Sequence, residues 1–187
     1  MPDIAKDLKG YGMSAENGQL VWLSSLPITL TVDTYGAMDT YMIDPRLVVS
    51  DFVFQTEVSW KSSGGLAGCG YMFRTDRSLS RGDHYDFVAI RLSGLPIWWA
   101  AYWKEGYLQR MLSPDYATSA AIRQKYGSTN TYAVVALGDH LTFYANGDRL
   151  STIQNDKLTE GRIAFQVQQE SGETTCVFKN SWVWALK

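Results

Sequence analysis

The chain has 187 residues, 17 Lys and Arg against 19 Asp and Glu, a net charge of −2, 45% apolar residues and 19% charged ones. That length buries a continuous core without metal or disulfide staples, and a single domain over residues 1–187 is the expectation. The near-zero charge leaves no footprint for nucleic acid. No apolar run approaches the roughly 20 residues of a membrane-spanning helix, so neither nucleic acid nor membrane insertion is an expected partner.

The opening MPDIAKDLKG carries charges with no apolar segment behind them and does not read as a secretory signal. Residues 1–50 otherwise read as short strands at Leu20–Leu23, Ile28–Val32 and Tyr41–Ile43, whose order the sequence leaves open. The rhythm is firmer from residue 52 onward. Phe52–Trp60 alternates Phe52, Phe54, Thr56, Val58 and Trp60 against Gln55, Glu57 and Ser59, the pattern of a half-buried strand. After a Ser-Ser-Gly-Gly turn come Leu66–Arg74, His84–Leu92 and, across Ser93-Gly94, the aromatic stretch Leu95–Leu108; these read as consecutive antiparallel strands. Gly64–Gly70 is glycine-rich but lacks the order of a phosphate loop, and it reads as a turn leading into a closely packed strand.

Residues 113–129 break the strand rhythm. Within them Ser119–Tyr126 reads as a short helix before Gly127, on a long excursion carrying Tyr116 and Tyr126. Thr131–Leu137 and His140–Ala145 are joined by Gly138-Asp139 in a tight hairpin, and Asn146-Gly147 supplies the next turn. Arg162–Gln168 alternates again, and Thr175–Trp184 closes the chain with Cys176, Phe178, Trp182 and Trp184 on one face. The whole is an all-β pattern of short strands, a sandwich or barrel.

Chemistry is sparse. Cys69 and Cys176 show no metal-binding spacing and read as buried free thiols. No calcium loop or zinc motif occurs, so no metal or cofactor is expected. Two histidines, His84 and His140, and no G-x-S-x-G elbow leave little for a catalytic triad. The carboxylate clusters Asp83–Asp86 and Glu170–Glu173 lie beside turns and read as solvated loop charges. Arg81-Gly82-Asp83 reads as a turn rather than an adhesion motif.

Four segments carry a resemblance: GCGYMFR at 68–74, NTYAVVALGDHLTFYANG at 130–147, GRIAF at 161–165 and FKNSWVW at 178–184. In this order they resemble the concanavalin A-like lectin/glucanase superfamily, whose jelly-roll sandwiches include laminin-G-like modules and the 3-keto-disaccharide hydrolase-like domains of bacteria. The resemblance covers residues 52–186. It implies an antiparallel two-sheet jelly-roll β-sandwich in which the strands around Cys69 and Cys176 lie side by side. A Cys69–Cys176 disulfide, formed outside the cytosol, then stands level with free thiols. It also implies a carbohydrate partner and an extracytoplasmic location. The glucanase signature E-x-D-x-x-E is absent, so the leading expectation is a non-catalytic carbohydrate-binding module. A glycoside hydrolase-like enzyme with unidentified catalytic groups is the alternative, and a structural or protein-interaction sandwich the third.

The candidate ligand-binding residues are Arg74, His84, Arg91, Trp98, Trp99, Tyr102 and Trp103, drawn from strands that should be neighbours. LPIWWAAYWKEGYL at 95–108 holds three of the seven tryptophans, and as a strand it has two faces. Trp98, Ala100 and Tyr102 point one way; Trp99, Ala101 and Trp103 point the other. The turn at Lys104-Glu105-Gly106 places a sheet rim beside Trp103, which favours the Trp99/Trp103 face as the outer one.

Overall fold

A computed structural model describes residues 2–62, 66–79, 81–92, 94–115, 117–125, 127–169 and 172–187. Its elements are a helix, α1 (Ile4–Gly10), and strands β1 (Gly18–Leu23), β2 (Ile28–Val32), β3 (Met38–Met42), β4 (Phe52–Ser62), β5 (Leu66–Thr75), β6 (His84–Leu92), β7 (Leu95–Lys104), β8 (Tyr107–Met111), β9 (Thr129–Leu137), β10 (His140–Ala145), β11 (Asp148–Gln154), β12 (Arg162–Gln169) and β13 (Thr174–Leu186). The described strands form two antiparallel sheets. The first, sheet A, runs β1-β13-β4-β9-β10-β11 with β2 also on β13; the second, sheet B, runs β3-β12-β5-β6-β7-β8. The sheets pack face to face as a jelly-roll sandwich of the concanavalin A-like type.

The inward faces interlock through aromatic rings. Phe87 of sheet B stacks on Phe143 of sheet A at 5.7 Å, and Phe165 on Phe178 at 4.2 Å. Cys69, centred in β5, is joined to Cys176 of β13, with their Cα atoms 5.8 Å apart. The two cysteines do not sit on neighbouring strands: β5 pairs with β12 and β6, β13 with β1, β2 and β4. They meet across the core, so the bond clips one sheet to the other.

Three further expectations change. Residues 119–125 form no helix, because Asn130 accepts from the Arg123 amide at 2.7 Å and donates to the Arg123 carbonyl at 2.9 Å, while Asn146 donates to the Ala121 carbonyl at 2.6 Å. Those backbone groups are thereby taken by side chains instead of by a helical ladder. The preceding residues dock on the end of β7, the Trp98 amide donating to Ala117 and the Ser119 amide to Pro96.

Trp182 and Trp184 do not share a face with Cys176 and Phe178. The β13–β4 register shifts between Lys179 and Trp182, around Asn180 at φ 49°, and this bulge turns both tryptophans outward. There they meet α1, which the strand-dominated reading of residues 1–50 had missed. Asp3 caps this helix by accepting from the Lys6 amide. Leu8 and Tyr11 pack against Val53, Ala133, Val135 and Trp182. The Tyr11 hydroxyl donates to Gln55 at 2.6 Å, and Gln55 in turn donates to Asp7 at 2.9 Å. The outer face of sheet A is thus covered over β13, β4 and β9, while among the described residues no helix lies on the outer face of sheet B.

Because the cysteines are 107 positions apart, their bond removes much of the unfolded chain's freedom. The Cys69→Ala/Cys176→Ala double variant should unfold in denaturant with about 4 kcal/mol less stability. A loss under about 1 kcal/mol would show that ring packing alone holds the sheets together.

A cleft on the outer face of sheet B

The pleat of β6 sends Tyr85, Phe87 and Ala89 into the core and His84, Asp86 and Val88 outward. On the adjacent β7, Trp98 and Ala100 enter the core and Trp99, Ala101 and Trp103 point out. Antiparallel register then sets His84 opposite Trp103, Asp86 opposite Ala101 and Val88 opposite Trp99. The small Ala101 leaves open the space over the Asp86 carboxyl, with one tryptophan on each side. Across β5, Gly68 and Gly70 contribute no side chain, and the Gly70 position permits none, since a Cβ there would run into the Phe87 carbonyl. On β12, Gln166 lies opposite Gly70 and Gln168 opposite Gly68. The result is a cleft of about 350 Å³ lined by Trp99, Trp103, His84, Asp86, Met72, Gln166, Gln168 and Gln169, with Met38, Leu108 and Met111 also on its lining.

Its floor is polar and unsatisfied. Asp86 is 1% exposed, and burial pushes its carboxyl up to about 7. Gln166, the Trp103 and Trp99 indoles and the Ala101 backbone pull it partway back down. The Gln166 Oε1 accepts from Gln168 at 3.4 Å, but none of the three donors, Gln166 Nε2 and the two indole N–H groups, closes a hydrogen bond of ordinary geometry. Asp86 Oδ1, Trp99 Nε1, Trp103 Nε1, Gln166 Nε2 and both amide atoms of Gln169 are buried without a partner among the described residues. Those six atoms are half of the twelve such side-chain atoms in the described residues, so the deficit is concentrated in one place. Buried polar groups are otherwise nearly always paired, and here an acceptor stands among several unpaired donors.

His84 is buried beside it, its ring stacked on Trp103 at 5.8 Å. Its Nδ1 lies 3.2 Å from the Gly82 carbonyl, which can only accept, so Nδ1 carries the proton and Nε2 the lone pair. Burial lowers its pKa, and the ring is neutral at pH 7.

Of the seven predicted residues, the structure brings together His84, Trp99 and Trp103. The other four lie elsewhere. Arg74 is buried at the end of β5, in a left-handed conformation, donating to the Ser50 carbonyl at 2.9 and 3.2 Å and to the Leu158 carbonyl at 2.8 Å, with Asp51 at 3.6 Å. It ties together loops before β4 and β12. Trp98 is core, stacked on Phe87. Tyr102 packs on Tyr85 from the inner face, and Arg91, on the same inward parity, sits near the far end of β6. Tyr116, Tyr126 and Glu170 lie outside the described residues. While Asp83 stays half-exposed in the turn before β6, Asp86 overturns its own reading as a solvated loop charge. One signal for it stood in the sequence, an acid inside the otherwise apolar run Tyr85–Ile90. The glutamines had none, because the polar face of a strand looks alike whether solvated or covered.

Residues 5–184 match the family described as the 3-keto-alpha-glucoside-1,2-lyase-like domain. The chain belongs to that family. Among solved structures, it is similar to a carbohydrate-binding module of Bacillus subtilis, at 16% identity, covering 84% of this chain and 94% of that one with a TM-score of 0.64. A legume lectin-like domain from Entamoeba histolytica aligns at 12% identity over 91% and 89% of the two chains, TM-score 0.60. The β-glucanase of Bacillus licheniformis aligns at 11% over 93% and 84%, TM-score 0.56. These likenesses establish the fold. No curated protein matches the chain in sequence.

Burial has a pH signature at Asp86. The unfolded carboxyl titrates near 3.8 and the folded one near 7, so the folded state keeps a proton that the unfolded chain has released, and stability falls as pH rises through that window. Asp86→Asn abolishes this loss. Between pH 4 and pH 8 the unfolding free energy of the variant should rise relative to the wild type by up to about 4 kcal/mol, read from denaturation curves at each pH. Parallel pH profiles for the two proteins would contradict the buried, neutral acid.

Proposed function

We propose that the outer face of sheet B is a saccharide-binding cleft that receives a gluco-configured ring between Trp99 and Trp103. The observation that carries this reading is the set of unpartnered buried polar atoms between two half-exposed indoles. A pyranose has apolar C–H faces for the indoles and hydroxyls that both donate and accept, matching the Asp86 carboxyl and the Gln166 and indole N–H groups. Membership of a family described by an α-glucoside substrate and likeness to a carbohydrate-binding module support the sugar class. The Cys69–Cys176 bond supports an oxidising, extracytoplasmic setting. Calorimetric titration with methyl α- and β-D-glucoside tests the reading. Trp99→Ala or Trp103→Ala should weaken binding by about tenfold or more with the fold intact by circular dichroism. Absence of binding heat for the wild type at millimolar sugar rejects it.

A second reading, elimination on a 3-keto-glucoside, is favoured by the pairing of a neutral His84 with an Asp86 that holds its proton near neutrality. A ketone at C3 acidifies the proton on C2. In this reading His84 Nε2 takes that proton, the C2–H electron pair becomes the C1–C2 double bond, and the C1–O bond breaks with its own pair. The Asp86 carboxyl supplies the proton that the departing oxygen needs. The products are a free alcohol and an unsaturated 3-keto sugar. Release of p-nitrophenol from p-nitrophenyl 3-keto-α-glucoside measures it. His84→Ala should cut kcat by at least about 100-fold while leaving substrate affinity largely in place. Failure of the wild type to release the phenol leaves the cleft as a binding site alone.

A further inference from the structure

Beyond Trp99 the trough continues. A second groove of about 500 Å³ is walled by Leu66, Ile90, Leu92 and Ile97, and it shares Trp99 and Met111 with the polar cleft. A smaller cavity of about 30 Å³ is bounded by residues of both, Gln168 and Gln169 from one side and Leu66 and Ile90 from the other, with Trp99 common to all three. Ile90 and Ile97 belong with Val88 to an apolar cluster separate from the main core, on which Leu66, Leu92 and Trp99 pack from the outside. The outer face of sheet B therefore changes character across one indole. Unpartnered amide, carboxyl and N–H groups lie on one side of Trp99; aliphatic side chains lie on the other.

The geometry points to a glycoside ligand whose apolar aglycone occupies this second groove while its sugar occupies the polar cleft. The inference rests on the saccharide reading of that cleft and adds the class of group attached to the sugar. A second sugar unit does not fit the chemistry, because its hydroxyls would be stripped of water against walls where Asp115 is the one charged side chain on the described lining. An aryl or alkyl group loses nothing there and removes the exposed edges of Leu66 and Leu92 from water. Trp99, with one side toward the sugar and the other toward the groove, is placed to touch both halves of one molecule.

The test compares methyl with p-nitrophenyl D-glucosides, in both anomeric forms, by calorimetric titration of the intact chain. For the anomer that binds, the p-nitrophenyl glycoside should be tighter than the methyl glycoside by on the order of tenfold. Leu66→Gln and Leu92→Gln, both at half-buried surface positions, should each shrink that ratio toward one and leave methyl glucoside affinity as it was. Equal affinities for the aryl and methyl glycosides of the wild type overturn the proposal while leaving the sugar cleft standing. So does an aryl advantage that survives both substitutions. The wild-type comparison decides without the variants if either fails to fold, and no binding of any of the four probes overturns the saccharide reading together with this one.

Discussion

The inward faces of β5, β6 and β7 hold the register on which everything else rests. Tyr71, Phe73, Tyr85, Phe87, Ala89, Trp98 and Ala100 are buried in one cluster with the facing rings of sheet A. Strand side chains alternate with a period of two, so a one-residue slip in any of these strands would expose that set and drive its outward neighbours into the core. For β6 such a slip would bury Asp86 and His84 among phenylalanines. The core thus dictates, as a by-product of its own packing, that a carboxyl, an imidazole and two indoles stand side by side on the opposite surface.

The two outer faces of the sandwich differ for reasons that lie far apart in sequence. The bulge at Asn180 turns Trp182 and Trp184 outward on sheet A, and α1 packs on them, covering part of that sheet's outer face. Sheet B has no such cover among the described residues. Its outer face combines glycines at positions 68 and 70, which lower the floor, with large residues on β7 and long amides on β12, which raise the walls. A floor that buries unpaired polar atoms costs stability. In the proposed saccharide reading, the same arrangement holds those atoms in place for a ligand's hydroxyls, which is where preorganised binding sites obtain much of their affinity.

Much of this was legible beforehand. The strands from residue 52 to the C-terminus, β8 and β11 apart, follow from alternation and turn chemistry, since Gly138-Asp139 and Asn146-Gly147 each present positive-φ backbone where the hairpins require it. The outward orientation of Trp99 and Trp103 follows from parity plus the position of the Glu105-Gly106 turn. Arg74 misled because an arginine that ends a strand looks the same whether it grips a sugar or two loop carbonyls. Asp86 misled because acidic clusters beside a turn are usually solvated, and its burial depends on what β7 and β12 place over it. The helix at residues 4–10 was obscured by its brevity: two turns carry too little period to stand out.

From its own residues the chain determined the class of fold and, wherever no bulge intervenes, the strand parity and which side chains share a face, because pleat and turn conformation are local properties set by chirality and sterics. Tertiary structure alone decided which strands became neighbours across the gap, hence that Cys69 meets Cys176 from the opposite sheet. It decided too that helix α1 packs on the outer side of sheet A. It also decided that Asp86, Gln166, Trp99 and Trp103, drawn from three strands up to 80 positions apart, converge on one desolvated floor. Burial and charge depend on everything packed around a group, and no stretch of sequence contains its own surroundings.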